Sequence, residues 1–212
     1  TNTVTIGFSD AIYKFGGDTT IKAGTTSTGT TFSGQNTKVD LNNKDLIITN
    51  AVVIADGELD INSAGGSIEI TGDIVGNAGG DEALILDDNG TGSSGVITLG
   101  GKVGATGGSQ FSAVTLIGAG GVNLSDQITT SSTDGGSVKI AGPVTLKGDI
   151  TIDADAANTS INFSSSTGHI NSDSTAGGRS LTLKTAAGNI DIEGKIGTVS
   201  YTHLRAHETS VN

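Results

Sequence analysis

A short strand unit, apolar-x-apolar-x-Gly-x-apolar, keeps returning along this chain. It reads Ile68-Glu69-Ile70-Thr71-Gly72-Asp73-Ile74, then Ile97-Thr98-Leu99-Gly100-Gly101-Lys102-Val103. It returns as Val138-Lys139-Ile140-Ala141-Gly142-Pro143-Val144 and as Ile190-Asp191-Ile192-Glu193-Gly194-Lys195-Ile196. Val122-Asn123-Leu124-Ser125-Asp126-Gln127-Ile128 keeps the frame with Asp in the Gly slot. A unit this small cannot bury its own apolar face. Recurrence of one such unit therefore points to a stacked array, in which neighbouring copies bury each other.

Outside the module, apolar residues also fall two apart: Leu46/Ile48, Leu59/Ile61, Leu84/Leu86, Val114/Leu116, Ile150/Ile152, Ile161/Phe163 and Leu181/Leu183. Period two is the strand signature, with one face turned inward. The residues between them are mostly Thr, Asp, Glu, Lys and Asn, as a solvated outer face requires. No stretch has helical periodicity. Gly-rich runs such as Ala64-Gly65-Gly66 and Gly118-Ala119-Gly120-Gly121 separate the strands, and Gly permits the positive φ of sharp corners.

The spacing fits the coils of a solenoid. Ile68 to Ile97 is 29 residues, Ile97 to Val122 is 25, Val114 to Val144 is 30 and Ile161 to Ile190 is 29. Such periods hold two or three strands each, and uneven lengths are absorbed by corner loops. Roughly eight coils at about 4.8 Å give a body on the order of 40 Å long. A β-sandwich also has short, regularly spaced strands. The solenoid is preferred because the strand units resemble one another and because aromatic residues are scarce, a narrow interior of Ile, Val and Leu leaving little room for rings. Residues 46–198 are expected to form the repeat array. Residues 1–45 are expected to form irregular N-terminal coils or the edge of a preceding domain.

The last residues differ in kind. Val199-Ser200-Tyr201-Thr202-His203-Leu204-Arg205-Ala206-His207-Glu208-Thr209 has no Gly and poor alternation. This string resembles the in-frame translation of a transposon-end and adapter oligonucleotide used to prepare DNA sequencing libraries. Residues 199–212 are accordingly expected to be a non-native tail, in which His203, Arg205, His207 and Glu208 have no role. The chain starts without Met, a basic n-region or an apolar h-region, so any export signal is expected to lie outside it.

Composition narrows the partners. The net charge is −11, with 34 Gly, no Cys and one Pro. An acidic chain without basic patches argues against nucleic acid and against anionic membrane surfaces. No apolar run approaches the ~18 residues of a spanning helix. Without Cys there is neither a disulfide framework nor a thiolate metal site.

The segments Val144–Ile170 and Arg179–Thr198 resemble the strand repeats of very large bacterial surface proteins, the filamentous haemagglutinin-like and autotransporter-type adhesins. The resemblance covers about residues 46–198. It implies an all-β, right-handed parallel β-helix exported to the cell surface through an outer-membrane secretion partner. It also implies an extracellular, non-enzymatic role: a stalk that presents or forms an adhesion surface for a receptor or glycan. It transfers no ligand-binding residue, because the family shares no motif for the ligand.

Candidate chemistry is sparse. Asp81, Glu82, Asp87 and Asp88 place four carboxylates within eight residues, and hard oxygen ligands suit calcium. The EF-hand order and the calcium β-roll nonapeptides are absent, so solvated turns are the plainer reading. Asp153 and Asp155 share a strand face, and paired carboxylates are the machinery of glycoside hydrolysis. Lys147, His169 and Arg179 are the nearest partners in sequence. That reading, a β-helical carbohydrate-active enzyme or binding module, is the alternative function. A calcium-stiffened spacer is a third. His169 stands alone after a turn, with no second His for a metal pair. Gly100-Gly101-Lys102 lacks the rest of a P-loop and reads as a turn. No catalytic, cofactor or metal residue is assigned.

Overall fold

The computed structural model describes residues 4–6, 12–17, 19–21, 29–77, 80–89, 95–104, 110–130, 136–154, 159–165, 168–173 and 178–197. Among them there are 23 strands and no helix, and every strand pairing is parallel. Each turn of the chain visits three faces in a fixed order, so the molecule is a three-sided parallel β-solenoid.

The first face carries Val4–Ile6, Thr30–Phe32, Val52–Ile54 and Ile74–Val75, then the single bridging residue Val103, then Ile128–Thr129, Ile150–Ala154 and Leu181–Thr185. The second carries eight strands: Ile12–Lys14, Thr37–Asp40, Glu58–Asn62, Ala83–Asp87, Ala113–Ile117, Ser137–Ala141, Ile161–Phe163 and Ile190–Ile192. The third also carries eight: Thr19–Ile21, Leu46–Ile48, Ile68–Ile70, Ile97–Leu99, Val122–Leu124, Val144–Leu146, His169–Ser172 and Lys195–Ile196. One strand from each face makes a rung. The strands within residues 1–45 run in the same three ladders as those that follow, with Thr19–Ile21 paired to Leu46–Ile48 and Thr37–Asp40 paired to Glu58–Asn62.

Register turns alternation into columns. On the second face Tyr13, Val39, Ile61, Leu86, Leu116, Ile140, Phe163 and Ile192 stack directly over one another. On the third face Leu46, Ile68, Ile97, Val122, Val144 and Ile170 do the same. The interior members are almost fully buried, Leu86 and Leu116 being 0% exposed. A side chain of this size contributes about 1.5–3 kcal/mol on burial. A one-residue slip would turn a whole column outward, so the apolar pattern fixes the register.

Three of the expected rungs are real: Ile68 pairs with Ile97, Ile97 with Val122, and Ile161 with Ile190. The spacing from Val114 to Val144 is not one. Val114 pairs with Val138, and Val144 with Val122, on a different face. The recurring module likewise marks two corners rather than one. At Ile68, Ile97 and Val122 it turns from the third face to the first, whereas at Val138 and Ile190 it turns from the second to the third. Both corners make the same demand, a place where the chain passes close to the rung below. At Gly142, with φ of 118°, a Cβ would overlap the carbonyl oxygen of Gly118, and at Gly72 it would strike the Asn50–Ala51 backbone. The interior also admits more rings than expected. Phe32, between Ile6 and Ile54, and Phe163, between Ile140 and Ile192, are buried, as is Phe111 at a corner.

Two outcomes follow for unfolding in denaturant. Ile140→Ala, in the middle of a column, costs about 2–5 kcal/mol, whereas Lys139→Ala beside it changes stability by less than about 0.5 kcal/mol. Gly142→Ala destabilises by more than about 1 kcal/mol, because it adds both a positive-φ penalty and a clash with backbone.

Candidate functional site

The strand Ala83–Asp87 divides the acidic quartet. Asp81 and Glu82 precede it and Asp87 and Asp88 end it, so the two pairs sit at opposite corners of the second face, about 17–20 Å apart at 3.3 Å per residue. They do not meet around one ion, and no group of three or more potential ligands occurs among the described residues. Each acid has its own environment. The backbone carbonyls of Asp81 and Glu82 accept the Ser112 hydroxyl at 3.0 and 2.9 Å. The Glu82 side chain is 2% exposed, and its Oε2 lies against Gly76. Asp87 accepts the Asn89 N–H at 2.7 Å, closing a local turn. Asp88 points inward, is 0% exposed, and accepts the Ala119 N–H from the rung above at 2.5 Å.

That last bond is one case of a general device. Asp45 accepts the Ser67 N–H at 2.7 Å, Asp73 that of Lys102 at 2.8 Å, and Asp149 that of Ser180 at 2.9 Å. In all three the acid immediately precedes an inward apolar strand residue, and the donor holds the equivalent place one rung further on. Ser67 and Ser137 accept the N–H of Val96 and Ser160 in the same way. A corner leaves its N–H without a ladder partner, and a short polar side chain from the rung below supplies one. Hydroxyls serve the corner carbonyls: Thr37 donates to Gly34, Ser63 to Gly66, Thr130 to Gly136 and Thr159 to Ala154. The sequence holds a signal for the acids, an Asp directly before an apolar strand start, which a search for clustered carboxylates passes over.

The proposed hydrolytic group is dispersed. Asp153 faces outward on the first face and pairs with Lys184, its neighbour in register, at 3.1 Å. Asp155 lies outside the described residues. Arg179 pairs with Asp173 at 2.9 Å, and His169 begins a strand on the third face. Lys147 is exposed at the corner that leads from the third face to the first. A third in-register ion pair, Lys38–Asp60 at 3.0 Å, has the same cross-rung form, and the Asp60 carboxylate holds the Lys38 ammonium above its usual range. Gly100-Gly101-Lys102 is a corner, with the Lys102 N–H bound to Asp73. His203, Arg205, His207 and Glu208 lie outside the described residues. Compared with family models, with curated proteins and with solved structures, the chain matches none.

Two carboxyls are shifted by these surroundings. The Ser180 hydrogen bonds lower the Asp149 carboxyl below the usual carboxylate value. Burial, opposed by the Ala119 bond and reinforced by neighbouring Asp87, raises Asp88 to about 6 from 3.8. The folded state therefore holds the Asp88 proton more tightly than the unfolded chain does. The stabilisation from Asp88 is complete below pH 3.8 and is lost as pH rises through about 6. Melting followed by circular dichroism across the pH window from 3.8 to about 6 is expected to show the Asp88 contribution falling with pH and levelling off above it. Asp88→Asn, which keeps an oxygen for Ala119, flattens that fall. Asp149 acts oppositely, adding stability above its unfolded value that is lost as pH drops through its lowered one.

Proposed function

We propose that this chain is a structural segment of a large bacterial cell-surface or secreted protein, a non-catalytic stalk that presents or forms an adhesion surface. The observation that supports it best is the use made of the charged and polar side chains. The ion pairs Lys38–Asp60 and Lys184–Asp153 link adjacent rungs, and Asp45, Asp73, Asp88 and Asp149 hold the N–H groups of the next rung. Among the described residues these side chains thus link one rung to the next along the axis. The resemblance of residues 46–198 to adhesin repeats agrees with that use. On this reading the segment works outside the cell, reaches it through an outer-membrane secretion partner, and meets a receptor or glycan on a host or environmental surface.

The test couples the full chain to beads and measures their retention under flow on surfaces coated with glycans or matrix proteins. Reducing-end release from the same polysaccharides is measured in parallel. Retention without release is the expected result. Release that disappears in Asp153→Asn would overturn the non-catalytic reading in favour of a carbohydrate-active enzyme. Absence of both retention and release would remove the adhesive surface from this segment.

A further inference from the structure

Glu82 does not follow the corner device. Asp45, Asp73, Asp88 and Asp149 each meet an N–H of the next rung. Glu82 lies on the inward side of its strand with Leu84 and Leu86 and is 2% exposed, yet its Oε2 accepts no hydrogen bond. Its neighbours in register do not supply one. Gly57 on the rung below has no side chain, and the Ser112 hydroxyl on the rung above is given to the main-chain carbonyls of Asp81 and Glu82. Among the described residues no cationic side chain pairs with it.

The space that Glu82 enters is made by a missing side chain. In the inward column at the end of the first face, Phe32 pairs with Ile54, and the next place in register is Gly76. A Cβ at Gly76 would stand 2.9 Å from Glu82 Oε2 and 3.0 Å from the carbonyl oxygen of Gln110. Gln110 belongs to the following rung, beside Phe111. A carboxylate and a carbonyl of two successive rungs thus converge on one point inside the solenoid. Two such oxygens repel unless something positive lies between them, and a buried carboxylate without hydrogen bond or counter-ion is strongly disfavoured.

We propose that Glu82 Oε2 and the Gln110 carbonyl hold a monovalent metal cation, which ties the rung of Ala83–Asp87 to that of Ala113–Ile117. Oxygen is the donor that hard cations take. Charge decides the valence. The carboxylate contributes one negative charge, the adjacent Asp81 is exposed, and no group of three or more potential ligands occurs among the described residues. One monovalent ion balances that charge, whereas calcium would leave a net positive charge in an apolar interior. The ion does for a carbonyl what the aspartates do for an N–H. It lets an acid hold the next rung where that rung offers an acceptor instead of a donor.

The test is thermal unfolding of the full chain, followed by circular dichroism, in sodium, potassium or choline chloride at one pH and one ionic strength. Choline carries the same charge but is too large to enter the interior. Sodium or potassium is expected to raise the melting temperature by about 2–4 °C over choline, the shift of a site filled to several times its dissociation constant. In Glu82→Gln the side-chain amide donates to the Gln110 carbonyl in place of the ion. That variant is expected to melt alike in all three salts, and in choline above the unaltered chain. Asp81→Asn removes the exposed acid next to the site and is expected to keep the full cation response. It thereby separates the site from general screening of the net charge of −11. Equal melting of the unaltered chain in the three salts would overturn the proposal and leave a water or a proton between the oxygens, and that arm requires no variant to fold. A response that Asp81→Asn abolishes or Glu82→Gln retains would also overturn it. So would a shift produced by calcium chloride and by neither monovalent metal.

Discussion

The structure depends on one constraint: each rung must satisfy the backbone of the next while covering its apolar side chains. A strand of three to five residues has few hydrogen bonds and a narrow apolar stripe, and neither suffices alone. Parallel stacking resolves both needs together. Neighbouring strands exchange N–H and C=O groups along the axis, and the inward side chains pile into columns that exclude water. The corners are where this scheme is weakest, because the chain leaves one ladder before it enters another. Asp45, Asp73, Asp88 and Asp149, with the hydroxyls of Thr37, Ser63 and Thr130, cover those positions.

This explains why so acidic a chain forms so regular an array. A carboxylate is a strong acceptor for a backbone N–H, and Asp is short enough to reach across one rung spacing. Asp45, Asp73, Asp88 and Asp149 are spread over separate corners, where each meets a backbone donor of the next rung. Asp88 is the exception in setting. It does the same task from inside the solenoid, and its carboxyl rises to about 6 as a result. The same residue type thus gives opposite pH dependences at Asp88 and Asp149, set by burial in one and by hydrogen bonding in the other.

Much of the architecture was legible from the chain. Alternation at Leu84/Leu86, Val114/Leu116 and Ile150/Ile152 marks strands that are present, and the recurrence of the module marks stacking. What recurrence leaves open is which face a given copy lies on. The unit at Val138 and the unit at Ile97 look alike because both corners bring backbone close to backbone, yet they turn between different faces. Side-chain grouping was less legible. Asp81, Glu82, Asp87 and Asp88 are close in number, but an extended strand carries neighbours in sequence steadily apart. Asp45 and Ser67 are distant in number, and the stacking of rungs brings them to 2.7 Å.

The sequence by itself determined that this protein is made of short strands with one apolar face, separated by corners that need Gly, and that these strands stack. Those properties are local: they depend on period two, on the absence of Cβ and on β-branched side chains. Only the tertiary structure decided the register between rungs, and with it every cross-rung contact. Lys184 meets Asp153, and the Asp73 carboxylate meets the Lys102 N–H, because loops of unequal length between rungs bring residues of different separation to the same height. Loop length does not alter the pattern of a strand, but it does set which residue of the next strand lies above it.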